Sequence, residues 1–178
     1  PRQAQTAEKP LPLRVRNSTL AHMKVVMDSD CLVKLTKAGL KERVCAAWDV
    51  HIPALVRRET TVEAERFPDA VQIRDNIDAG LITVAGDRRR RKKGEDAALD
   101  LFRSGEFKAI ATDDTRFIRR LRGLDVPYAV PAVILVRLHN EGVLTRDQAN
   151  GALEALSPLI SPEEHAVAEL MLTRGGES

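Results

Sequence analysis

Five short apolar runs, each followed by a stretch with helical spacing, constrain this chain more than any other feature of it. The runs are 24–27 (Lys-Val-Val-Met), 49–53 (Asp-Val-His-Ile-Pro), 81–84 (Leu-Ile-Thr-Val), 109–112 (Ala-Ile-Ala-Thr) and 128–130 (Tyr-Ala-Val). Strands separated by helices pair in parallel, because a parallel pair needs a crossover long enough to cover a face of the sheet. The alternation predicts an α/β domain with three layers, α/β/α, around a central and mainly parallel sheet. Leu32, Val33, Leu35, Thr36 and Leu40 mark a first helix that is closed by Gly39 or runs weakly on to Ala47. Pro53 starts a helix through Leu55, Val56 and Glu59, and Pro68 opens another, with Val71, Ile73 and Ile77 on one face, that Gly80 ends. Later helices are expected over 95–102, around Phe117, Ile118 and Leu121, and from Pro131 to Gly142. Thr145 to Gln148 reads as a capping box, and Ser161-Pro162-Glu163-Glu164 starts a last helix.

Size and composition narrow what such a domain does. The 178 residues are enough for one sizeable core without staples. No apolar run approaches the roughly 20 residues of a membrane helix, so no membrane association is expected. Cys31 and Cys45 match no metal spacing and read as reduced thiols of a cytoplasmic protein, while His22, His51, His139 and His165 are too scattered for a histidine-based site. Any metal here is therefore a hard one, held by carboxylates. With 3% aromatic residues the chain lacks stacking platforms for bases, so affinity for nucleic acid has to come from local basic clusters. Residues 1–22 show no periodicity and precede Met23, a natural first residue; they are expected to be an appended or weakly ordered extension. Residues 23–142 form the domain, and 143–178 a helical extension of it.

Acidic residues fall where a parallel sheet gathers ligands, at the carboxyl ends of strands and the helix starts that follow them. Asp28, Ser29 and Asp30 follow the first run, and Glu59 lies in the helix after the second. Glu95 and Asp96 occupy the first turn of a helix, while Thr112 leads into Asp113 and Asp114 after the fourth run. Each has a plain structural alternative. Asp28, Ser29 or Asp113 can cap a helix, Glu59 can be a solvated helix residue, and Glu95 or Asp96 can complement a helix dipole. Taken together they need a cation or protons, because clustered carboxylates repel one another.

The stretches 26–35, Pro53 with Glu59, 94–98 (Gly-Glu-Asp-Ala-Ala) and 111–114 (Ala-Thr-Asp-Asp) resemble, in order and spacing, those of the PIN-domain nucleases. That family includes the toxin ribonucleases of toxin–antitoxin pairs. The resemblance, over 23–142, implies hydrolysis of RNA phosphodiesters at an acidic cluster holding Mg²⁺ or Mn²⁺. Asp28, Glu59, Glu95 and Asp113 would be the catalytic acids, with Asp96 and Asp114 as alternative ligands and Ser29, Asp30 and Thr112 at the edge of the site. It also implies a small antitoxin protein as partner and a homodimer. Asp30 stands where many members have Ser, Thr or Asn, and the double acids at 95/96 and 113/114 leave two ligands ambiguous by one residue.

The basic run Arg88, Arg89, Arg90, Arg91, Lys92 and Lys93 enters the helix that carries Glu95. It reads either as a solvated loop or as a clamp for the phosphate backbone. Two rival functions fit parts of the pattern. A phosphatase of the haloacid-dehalogenase kind would use Asp28-Ser29-Asp30 as a nucleophile motif, but leaves Glu59 and Glu95 without a task and finds Thr83 mid-strand. A catalytically silent PIN-like module would bind RNA or protein without needing the acids at all.

Overall fold

A computed structural model describes residues 23–62, 66–86 and 93–174. Strand β1 (Lys24–Met27) leads to helix α1 (Ser29–Lys37), and α2 (Lys41–Ala47) leads to β2 (Asp49–Pro53). Helix α3 (Ala54–Arg57) runs directly into a π-helical segment (Arg58–Val62), followed by α4 (Pro68–Asp78) and β3 (Ile82–Ala85). Then come α5 (Gly94–Ser104), β4 (Ala109–Ala111), α6 (Thr115–Gly123) and β5 (Tyr128–Ala129). Three helices close the chain: α7 (Pro131–Asn140), α8 (Arg146–Leu156) and α9 (Pro162–Arg174).

Among the described residues the sheet has five strands in the order β3-β2-β1-β4-β5, every pair parallel. Strand β1 takes the centre because it is apolar on both faces, as a strand covered by helices on both sides must be. Val25 and Met27 face one core with Leu32 and Leu35 of α1, Ile73 of α4 and Leu135 of α7. Val26 faces the other, with Ile110, against Ala98 and Leu99 of α5 and Phe117 and Leu121 of α6. This is the three-layer α/β/α arrangement that the alternation predicts. Helices α8 and α9 share the first core through Ala149, Leu153, Leu156, Ala168 and Leu172.

The chain lays down β1, β2 and β3 outward in one direction, then crosses to place β4 and β5 on the other side of β1. The carboxyl ends of β1 and β4 thus adjoin where the connections diverge, which in open α/β sheets is where ligands bind. Register fixes the detail. Met27 pairs with Ala111, and the Asp28 N–H donates to the Ala111 carbonyl at 3.0 Å, so both strands end level.

Three local expectations are corrected. The first helix does not continue to Ala47, because Gly39 adopts a left-handed φ of 67° and α2 starts afresh at Lys41. The third strand begins at Ile82 rather than Leu81, whose N–H closes α4 by donating to Asn76 O at 2.9 Å. The helix through Glu59 is not α-helical there. The Thr60 and Thr61 hydroxyls donate to the carbonyls of Val56 and Arg57 at 2.8 and 2.7 Å, and the backbone around them widens into the π segment.

Candidate active site

Asp28 is both a helix cap and the most buried acid of the group. Its Oδ1 accepts the Cys31 N–H at 2.9 Å, and its Oδ2 accepts the Thr112 hydroxyl. The Thr112 Oγ1 in turn accepts the Asp114 N–H at 3.2 Å, so one hydroxyl ties the ends of β1 and β4 together. Only 6% of Asp28 is exposed. Burial pushes its carboxyl up to about 7; the Thr112 and Cys31 donors work against that rise, and the charges of Asp30 and Asp113 add to it.

The two acids after β4 have separate tasks. Asp114 caps α6, its Oδ1 accepting the N–H groups of Arg116 and Phe117 at 2.7 and 2.8 Å. Asp113 is left to face the site, where its Oδ2 accepts the Lys34 ammonium. Lys34 also pairs with Asp30 at 3.0 Å, one turn away on α1. Burial opposes the lysine's charge, but the hydrogen bonds to Asp113 and Asp30 outweigh it and hold its pKa above the ordinary value.

Glu59 approaches from the π segment, and its Oε2 accepts the Ser29 hydroxyl at 2.9 Å. It also lies against the start of α5. A Cβ on Gly94 would stand 3.2 Å from Glu59 Oε2, so glycine there makes room for the carboxylate at the positive end of the helix. Gly94→Ala is expected to displace Glu59 and lower catalytic turnover severalfold. Stability should change by less than about 1 kcal/mol, since alanine's better helix propensity offsets the contact. Thermal melts alongside initial rates check this.

Glu95 is half-buried in the first turn of α5, and Asp96 pairs with Arg120 of α6 at 2.7 Å. Lys93 is exposed at the N-cap of α5, whereas the rest of the basic run, 88–92, lies outside the described residues, as does the extension 1–22. Cys31 and Cys45 are both free. Burial pushes the Cys31 thiol well up and the Cys45 thiol to about 12, which leaves neither a thiolate for ligation.

Two residues here carried no role in the motif reading. Lys34 looked like a polar position on an amphipathic helix. Glu164 belongs to α9, yet its Oε1 accepts the Ala132 N–H at 2.9 Å and its carboxyl lies in hydrogen-bond contact with Asp113. Burial pushes Glu164 up to about 7; the Ala132 N–H opposes the rise, Asp113 adds to it and Lys34 opposes it. A signal was available, an acid at 164 on the stripe that continues with Ala168 and Leu172.

Among the described residues no three Asp, Glu, His or Cys side chains already converge in a group that would hold a metal. Asp28, Glu59, Asp96 and Asp113 are each engaged by a protein donor instead. The donor set nevertheless fits a hard divalent cation. It consists of carboxylate oxygens, and a positive charge, the Lys34 ammonium, already stands among Asp30, Asp113 and Glu164.

A family model described as a PIN domain matches residues 24–159. The chain belongs to the PIN-domain family. No curated protein matches it. The five-stranded parallel sheet and the level ends of β1 and β4 are the PIN-like architecture expected from the motifs. PIN domains are generally nucleases and typically use divalent metals. No helix among the described residues of this PIN domain is long and apolar enough to cross a membrane.

Proposed function

We propose that this PIN domain is a ribonuclease that hydrolyses RNA phosphodiester bonds with Mg²⁺ or Mn²⁺ held by Asp28, Glu59, Glu95 and Asp113. The observation that carries the reading is the register of β1 against β4, which sets buried Asp28 beside Thr112 and directs Asp113 to the same place. Asp96 and Asp114 are weaker candidates as ligands, because Arg120 and the α6 N-terminus already occupy them. A divalent cation bound there polarises a phosphate and lowers the pKa of a coordinated water.

The protein's own groups prepare the site. Thr112 and the Cys31 N–H fix both oxygens of Asp28 while leaving each a lone pair for a cation. Ser29 orients Glu59, and Lys34 balances the charge of Asp113 and Asp30. The basic run 88–93, adjoining the helix that carries Glu95, supplies phosphate contacts on the substrate strand.

Purified protein should cleave single-stranded RNA in the presence of Mg²⁺ or Mn²⁺ and leave a phosphomonoester untouched. Release of phosphate from the monoester without RNA cleavage would favour the phosphatase instead, and RNA binding without cleavage a silent module. An Arg89→Ala, Arg90→Ala, Arg91→Ala variant should bind all RNA sequences more weakly. Its log-affinity against log-salt slope should flatten by ~0.7 for each phosphate that the variant no longer neutralises, with little change in melting temperature. An unchanged slope and affinity would return this run to a solvated loop.

A further inference from the structure

The C-terminal helix reaches the site at one residue. Along α9, Glu164, Ala168 and Leu172 recur every four residues on the inward face, and the last two are buried. Ser161 Oγ accepts the Glu164 N–H at 3.1 Å, which caps the helix and leaves the Glu164 side chain free to reach outward. That side chain accepts the Ala132 N–H at 2.9 Å. This N–H is an unpaired donor of the first turn of α7, next to Pro131, which has none to give. The same carboxyl lies against Asp113, whose other contact is Lys34. A residue serving only to cap α7 gains nothing from lying against a second carboxylate, since like charges in contact cost energy.

We propose that Glu164 is a positioning residue: anchored on the α7 N-terminus, it fixes the rotamer of Asp113 and thereby sets the affinity of the site for a divalent cation. The proposal rests on the metal-nuclease reading above, and it brings in a residue outside the matched segment 24–159. Asp113 sits between β4 and α6, bracketed by Lys34 on one side and Glu164 on the other. Without Glu164, Asp113 keeps only the lysine, a flexible partner that it can follow away from Asp28.

Calorimetric titration with Mn²⁺, with melting temperatures taken in parallel, separates the roles. Glu164→Gln should keep wild-type affinity, because its amide carbonyl accepts the Ala132 N–H and its amino group donates to Asp113. Glu164→Ala should lose about tenfold or more in affinity, as removal of a residue that orients a ligand does. If Glu164→Ala does not fold, Glu164→Met keeps the stem and takes its place with the same expected loss. Equal losses in the Gln and Ala variants would make Glu164 a direct ligand and overturn the positioning role. Wild-type affinity with a lower melting temperature in Glu164→Ala would reduce it to a structural contact, which also overturns it. Should the wild type bind no Mn²⁺, or Asp113→Asn bind it as well as the wild type, the metal reading of the site falls and the positioning role falls with it.

Discussion

Asp28→Asn should abolish RNA cleavage while leaving the fold intact. The amide keeps the shape of the carboxylate, and its oxygen still caps α1 through the Cys31 N–H, a position where Asn serves as well as Asp. Toward Thr112 it presents an N–H group, and the hydroxyl, which already accepts the Asp114 N–H, has a second lone pair for it. Removing the charge at the buried centre of the cluster is a different matter. Loss of several kcal/mol of charge stabilisation corresponds to about a hundredfold or more in rate. Asp30 lies at the rim, 56% exposed and paired with Lys34, so Asp30→Asn should cost far less. Undiminished cleavage by the Asp28→Asn protein, with circular dichroism matching the wild type, would remove Asp28 from the chemistry.

The second large effect is on stability, and its sign follows from burial. In the folded chain Asp28 titrates near 7 against an ordinary 3.8, and Glu164 also titrates near 7, against 4.5. The folded state therefore holds more protons than the unfolded chain between those limits. The stability that these protons confer is present in full below the unfolded pKa values and is lost as pH rises through the folded ones. Metal-free protein should melt at a lower temperature at pH 8 than at pH 5, with Asp28 alone contributing about 2 to 3 kcal/mol of the difference.

A bound cation favours the ionised carboxylates and reverses the trend. Mn²⁺ at about a hundred times its Kd should add about 2.7 kcal/mol at pH 8, roughly 5–10 °C in a chain of this length. Asp28→Asn should flatten the pH dependence and lose most of the Mn²⁺ shift. A metal-free melting temperature that rises between pH 5 and pH 8, or an undiminished Mn²⁺ shift in the variant, would show that these acids do not form one site.

The parts of this site that the sequence revealed are those where an apolar strand stops abruptly. Val25, Val26 and Met27 end at Asp28, and Ala109, Ile110 and Ala111 end at Thr112 and Asp113; once both strands are parallel and level, the acids have to meet. The choice between Asp113 and Asp114 was not legible, because neighbouring acids read alike until the backbone turns one of them into the α6 cap. The π segment was hidden for a related reason. Thr60 and Thr61 fit a helical period, and only their hydrogen bonds to Val56 and Arg57 show the widened turn that presents Glu59. Lys34 and Glu164 are tertiary facts. Nothing near either in the chain names Asp113 as a partner, since the contact exists only after α9 has packed on α7.

The central claim, that these carboxylates hold a divalent cation which drives RNA hydrolysis, meets its most direct test in one measurement. End-labelled single-stranded RNA is incubated with the wild-type protein in EDTA, and again after Mg²⁺ or Mn²⁺ is restored. Intact RNA in EDTA and cleavage on restoring the metal is the predicted result. Cleavage that proceeds equally in EDTA, and follows the protein through successive purification steps, would contradict the account.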